Sequence, residues 1–550
     1  MKKPTLKAPK FKAPDLGAVT GGSRTGQSLL AGVAVLGLVF GIAELRSPAT
    51  SAADAGGART TAQVERTALV CPPPMQGVTG STNLTLFSPE GGTGSTGSGL
   101  LAEANADNVV AAQSPARAAP TKPSGAPSGS PSEQPSGSPS AAPNAGAPVV
   151  DARVTLAKPG VPATGPAANN DNAPGSFAIA TGNLAPGFTA TQVTSSENGG
   201  TSLAGADCVP SGTSFWFAGA STAGNRVDYV TLVNADSLPA VVDLRMYGDK
   251  GLIENELASS ISIAPGQTQT LLLSSLTKGP VDDLALHVVT RSGRVGAGVH
   301  AIDTGKGTDW LEPSADPGPS VTVPGIPDDV TTAHLVVATD SADDADLKVQ
   351  LSGKNGWFTP AGKESIHVKA GMTATLDFQF SAETREGASA IRLTPSSAGH
   401  PTPVVAGLRV DRENKGKTEA TWLSGGSPVG DRASVADNRA GQTKLMLTAV
   451  DADAKVKVSS SAGASGGTPV TKDVDVPAGT TVTVEGIDPE GANGPYALTL
   501  RTLGGGPVLA TRQLSVTTKD VPAFTTQRFR DDHATVEVPR VAADPGIVLR

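Results

Sequence analysis

Aromatic side chains make up only 3% of this 550-residue chain, and four of them are tryptophan. Few rings are therefore left to stack on a sugar or a base, and any core must be filled by smaller residues. Histidine is scarce as well: His287, His300, His334, His367, His400 and His533 are scattered without the spacing of metal ligands, which leaves them structural or surface roles. Two cysteines, Cys71 and Cys208, are too few and too far apart for a zinc site. Positive charge is short: the net charge is −8, and removing the lysine-rich N-terminus makes the remainder more acidic still. An anionic exterior disfavours nucleic acid as a partner. Apart from one N-terminal stretch and a short helix expected over 100–112, no segment reads as a helix.

That stretch is uncharged from Thr25 to Ala43, densest in apolar residues from Leu29 onward, and preceded by Lys2, Lys3, Lys7, Lys10, Lys12 and Arg24. At about 1.5 Å rise per residue it nearly crosses a hydrocarbon core of about 30 Å. Basic flanks stay in the cytoplasm, so residues after Arg46 are expected outside it. A retained single-pass anchor is the favoured reading, because the basic arm is long for a signal peptide. Ala53-Asp54-Ala55 keeps cleavage and secretion as the alternative. In an oxidising compartment the two cysteines are expected to pair, closing a long loop for which chain entropy gives a ceiling of roughly 5 kcal/mol.

What the chain has in abundance is glycine, 65 residues, and proline, 44 residues. These punctuate an all-β protein. Between 114 and 148, Pro123, Pro127, Pro131, Pro135, Pro139 and Pro143 recur every four residues amid Ser, Ala and Gly, so a disordered, partly polyproline insert is expected. From Asn225 onward one strand-turn-strand unit appears three times, with its turn at Gly266, Gly371 and Gly479. The spacing is roughly the 100 residues of an immunoglobulin-like sandwich. Alternation before each unit (Val242, Leu244, Met246; Leu347, Val349, Leu351; Val456, Val458) marks strands with one buried face. Two copies close on Trp310-Leu311 and Trp422-Leu423, tryptophans read as core or interdomain filler, and Ser214-Phe-Trp-Phe217 resembles the same closing segment. The expected organisation is a cytoplasmic arm 1–24, an anchor 25–45, a stalk 46–63 and a divergent β module 64–224 carrying the insert. Sandwich repeats 225–327, 328–432 and 433–550 follow.

Motifs with chemical meaning all have a plainer explanation. Gly92-Thr-Gly94-Ser-Thr-Gly97 matches a dinucleotide fingerprint, yet no βαβ unit continues from it. Gly463-Ala-Ser465-Gly-Gly467 matches a nucleophile elbow but lies between two strands. Asp340, Asp343, Asp344 and Asp346 would supply oxygens for calcium. Their counterparts Asn234-Ala-Asp236 and Asp451-Ala-Asp453 mark a turn in which such side chains bond the backbone. No catalytic residue, cofactor or metal is expected.

The pattern resembles a family of actinobacterial secreted or membrane-anchored proteins known only as a domain of unknown function. Carrying the resemblance are the anchor, the opening Arg66-Thr-Ala-Leu-Val-Cys-Pro-Pro-Pro74, the repeated units and the ending Val536-Glu-Val-Pro-Arg-Val-Ala-Ala-Asp-Pro-Gly546. It implies no activity or site residues. The expectation is a non-enzymatic envelope protein presenting tandem sandwiches to another envelope protein. The alternative is a carbohydrate-binding accessory of envelope glycan assembly, for which Trp357, in Gly356-Trp-Phe-Thr-Pro360, is the candidate ligand contact.

Overall fold

A computed structural model describes residues 60–538, apart from 76, 79, 94–95, 114–148, 169, 171, 197–201, 382–387, 398 and 519–520. The basic arm, the expected anchor and the proline-paced insert lie outside the described residues, as does most of the expected stalk, of which Thr60–Gln63 is a strand. Residues Gln63–Val536 form one compact unit. No helix among the described residues is long and apolar enough to cross a membrane.

The fold is all-β, built from antiparallel sheets. Four sandwiches follow one another and share one order of eight strands, to which modules 2 and 3 add a short edge strand, Gly251–Ile253 and Gly356–Phe358, and module 4 a small two-stranded ribbon, Gly466–Thr468 with Glu490–Asn493. Counting the shared eight, one sheet runs 1-6-3-4 and the other 5-2-7-8. In the first module the strands begin at Arg66–Cys71 and end at Ser202–Asp207. The second runs from Ser214–Ala220 to Gly307–Leu311, the third from Val321–Pro324 to Lys417–Ser424, and the fourth from Arg432–Asn438 to Val521–Arg528. In the immunoglobulin arrangement the sixth and seventh strands share a sheet. Here the seventh pairs with the second and eighth instead.

Local sequence explains the elements. Ala345–Gly353 alternates buried Leu347, Val349 and Leu351 with Asp346, Lys348 and Gln350, so one face enters the module's core. The repeated turn between strands 4 and 5 puts Gly266, Gly371 and Gly479 at φ of +69°, +68° and +71°, which only glycine adopts without strain. Its neighbour's N–H is capped by a carboxylate from the turn between strands 2 and 3: Asp344 accepts from Ala370 and Asp453 from Ala478, each at 2.8 Å. Those aspartates cap turns that cross from one sheet to the other. Around residue 100 the apolar run divides: Gly99–Glu103 is the third strand of module 1, and the helix is confined to Ala106–Gln113. Ser214-Phe-Trp-Phe217 opens module 2, because Trp216 pairs with His287 on the sixth strand of that module.

The four modules close into a ring. The eighth strand of each touches the eighth strands of its two neighbours, the fourth module meeting the first. Likewise the first strand of each module packs on the seventh of the next, and that of module 4 on the seventh of module 1. The junctions are apolar wedges. Trp422 of module 3 lies in the core of module 2, Phe524 of module 4 in the core of module 3. Trp310 of module 2 packs on Met75, Ala204 and Ala206 of module 1, while Leu203 of module 1 packs on Leu514 and Val521 of module 4. At that last seam a Cβ on Gly205 would sit 1.5 Å from Gln527 Nε2, so the closing contact needs a residue without a side chain.

Candidate functional site

The ring axis is lined by the eighth strands, and its centre is one carboxylate. Asp309, Thr421 and Thr525 hold the same register, opposite Ala301, Val410 and Leu514 on the preceding strands of modules 2, 3 and 4. Closure brings them together. Asp309 Oδ1 accepts from the Gly205 N–H at 3.0 Å, the Trp310 N–H at 2.8 Å and the Thr525 hydroxyl at 3.1 Å, and the Thr421 hydroxyl donates to Oδ2. All four modules thus meet on one side chain. Burial pushes this carboxyl up to about 8, over the opposing effect of the hydrogen bonds it receives.

Toward one pole the polar chain continues through Glu419 of module 3, whose Oε1 accepts from the Ser202 hydroxyl of module 1. Burial holds Glu419 at about 8 as well. Gly307, at φ +117°, gives it room, since a Cβ there would lie 2.6 Å from its carboxylate. Above it the hairpins between strands 7 and 8 frame a cavity of about 500 Å³, lined among others by Ser202, Thr304, Thr308, Lys417, Glu419 and Val521. Residues from every module contribute to its wall. Toward the other pole, Arg528 donates to the Pro313 carbonyl at 2.7 Å, Arg530 does so at 3.2 Å, and both flank buried Glu312. Asp207 lies close by, pushed up to about 7 by burial and by Glu312.

Cys71 and Cys208 form a disulfide, with Cα atoms 4.2 Å apart. It ties the first strand of module 1 to the exit of the eighth, beside the Val70–Val209 bridge. Replacing both by serine is expected to lower the unfolding free energy by about 2–4 kcal/mol, seen as an earlier midpoint in urea.

Trp357 is placed at a junction: its Nε1 donates to the Val450 carbonyl of module 4 at 2.7 Å, and Arg392 lies over its ring at 5.6 Å. Every tryptophan in fact sits where modules meet, Trp216 against Ala338 and Val405 of module 3. Neither glycine-rich segment leads into a helix: the first is followed by the strand Gly99–Glu103, and the second runs into the short strand Gly466–Thr468. Gly97 N–H donates to Asn183 Oδ1 at 2.8 Å, and Gly463 bridges Gly466 in a hairpin with no helix behind it. Among the described residues no group of three or more His, Cys, Asp and Glu is placed to hold a metal ion. His334 bridges Asp283 of module 2 and Asp377 of its own sheet, at 2.6 and 2.7 Å, and these bonds raise its pKa.

Sequence reasoning missed the axis. Its only local trace is a polar residue beside each closing tryptophan, Asp309-Trp310 and Thr421-Trp422. Among known families, one of unknown function (DUF5719) matches residues 164–486, a span that takes in all of modules 2 and 3 and reaches into both neighbours. No curated protein and no solved structure matches the chain.

Proposed function

We propose that this chain, which belongs to the DUF5719 family of unknown function, is a non-enzymatic scaffold of the cell envelope, tethered by Leu29–Ala43 with its bulk outside the cytoplasm. The observation that carries the reading is the closed ring: the chain's tryptophans and the buried carboxyls of Asp309 and Glu419 are spent on joining modules. What remains open is a rim of hairpins and the axial mouth, a rigid surface suited to holding another envelope component. The Cys71–Cys208 disulfide agrees with an oxidising compartment. The carbohydrate-binding alternative draws no support from Trp357, whose ring is engaged by Val450 and Arg392.

The topology is tested by adding protease to cells stripped of their wall and by labelling thiols before and after reduction. Digestion of the bulk of the chain, with both cysteines labelled only after reduction, is the expected result. A protected chain carrying two free thiols would overturn the proposal. For the scaffold role, crosslinking from Thr304 at the mouth is expected to trap the same envelope protein reproducibly, and its absence would count against a partner at this pole.

A further inference from the structure

A second cleft lies between modules 1 and 4, and its chemistry is unlike that of the rest of this acidic chain. In module 4 three cations stand side by side across three strands: Arg432 is directly opposite Arg501, and Arg501 directly opposite Lys457. Inward neighbours Ala433, Val456, Val458 and Leu500 belong to the core, so the three cations share the outer face. Like charges placed opposite one another across antiparallel strands are destabilising. In this row of three, ion pairs offset that cost at Arg432 and Lys457 and leave it standing at Arg501.

The next row on that face is made of hydroxyls. Ser434 pairs with Thr499, Thr499 with Ser459, and Ser459 with Thr471. Hydrogen bonds of 2.9 Å between Ser434 and Thr499 and 3.1 Å from Thr471 to Ser459 fix their orientation. The three cations with Ser459, Thr471 and Thr499 line a cavity of about 280 Å³, closed from the module 1 side by Phe87, Pro89, Glu90 and Gly160.

The cations are incompletely neutralised. Lys457 pairs with Asp473 at 3.1 Å, and Arg432 with Asp532 through Nε. Arg432 is nevertheless buried with its Nη2 lacking a hydrogen-bond partner. The side chain of Arg501 has neither ion pair nor hydrogen bond among the described residues. Arg501 and Lys457 present donors to the cleft, Arg432 stands beside them in its wall, and Glu90 is the one carboxylate of the lining, so cations outnumber anions there, as recognition of a tetrahedral oxyanion requires. The hydroxyl row beside them offers both donors and acceptors to a polyol attached to that anion.

We infer that this cleft binds the phosphate ester of a polyhydroxylated compound, its phosphate on Arg501, Lys457 and Arg432 and its hydroxyls along Ser459, Thr471 and Thr499. The inference goes beyond the scaffold reading and stands whether or not the axial mouth has a partner.

Titration calorimetry on the full chain in detergent tests it, with glycerol 3-phosphate and glucose 1-phosphate as probes. Glycerol and glucose serve as uncharged controls, and inorganic phosphate as the bare anion. Both esters are expected to bind, more weakly as salt is raised. Inorganic phosphate should bind several-fold more weakly, and the uncharged compounds not at all. Arg501→Gln removes an exposed, unpaired cation, so it is expected to weaken the esters about tenfold while leaving the melting temperature unchanged or raised. Ser459→Ala should narrow the gap between esters and inorganic phosphate. Absence of ester binding, or ester binding unaffected by Arg501→Gln, would overturn the inference. Inorganic phosphate binding as tightly as the esters would overturn the polyol part of it.

Discussion

Asp309→Ala is expected to lower the unfolding free energy by about 3–5 kcal/mol, measured as an earlier midpoint in urea. The backbone N–H groups of Gly205 and Trp310 lose their acceptor at the ring centre, and neither can turn elsewhere. Each buried donor left unpaired costs about 1–3 kcal/mol. The Thr421 and Thr525 hydroxyls can rotate, so they add less. Asp309→Asn separates the hydrogen bonds from the charge. An amide keeps an acceptor for the donors on Oδ1, and it resembles the protonated acid that burial favours here. Asparagine is therefore expected to lose less than half of what alanine loses.

The same variant tests the pH dependence. Asp309 and Glu419 are raised to about 8, and Asp207 to about 7, from ordinary values of 3.8 and 4.5. The folded protein thus keeps protons that the unfolded chain has released. Their contribution is fully present below about 4 and is lost as pH rises through the folded values. His334, raised by its two aspartates, acts in the same direction and loses its contribution as it deprotonates. His287 and His300 are buried and pushed down to about 4 and about 3. Both are neutral in either state above about 6.5, so they oppose the trend only below that pH. Between pH 6.5 and 8 stability should fall with rising pH. Each carboxyl protonated throughout contributes a slope of about 1.4 kcal/mol per pH unit. Asp309→Asn should remove one such proton from the slope, and an unchanged slope would show that Asp309 is ionised at the ring centre.

The sandwiches were legible where their evidence is local. Alternation such as Val456 and Val458, and turns at Gly266, Gly371 and Gly479, need only neighbouring residues to be read. The first strand of each module was harder to assign, because its partner is the sixth strand, some seventy residues on in module 2, where Ser214–Ala220 pairs with Leu284–Ser292. Module 1 also ends on Ser202–Asp207, a strand without tryptophan. In sequence the next aromatic segment, around Trp216, therefore resembles its close, although it opens module 2. Ring closure left almost nothing to read. The wedge residues are Leu203, Trp310, Trp422 and Phe524, different side chains doing one job, and Gly205 matters only because Gln527 lies against it. The cation row was equally hidden: Arg432, Lys457 and Arg501 are unremarkable until strand register sets them abreast.

That division of labour predicts what happens when a wedge is removed. Trp422 is 1% exposed and belongs to module 3 in sequence, yet it lies among the core residues of module 2, with Arg226 over its ring at 4.8 Å. Truncation to alanine leaves a cavity between modules and strips the cover from Arg226, which is itself buried and paired with Asp228 at 2.7 Å. Losses of about 3–5 kcal/mol are typical for a large buried aromatic. Because the cavity lies in a junction, the ring is expected to loosen there before any single sandwich unfolds. Hydrogen exchange should then rise first in Ser214–Ala220 and Val405–Asn414, the strands that pack across this junction, while the inner strands of module 4 stay protected. Trp357→Ala is the control, a half-buried junction tryptophan held through one hydrogen bond and one cation, with an expected loss of about 1–2 kcal/mol. Equal losses from the two variants, or uniform exchange across all four modules in Trp422→Ala, would show that the ring unfolds as one unit and that the wedge has no local role.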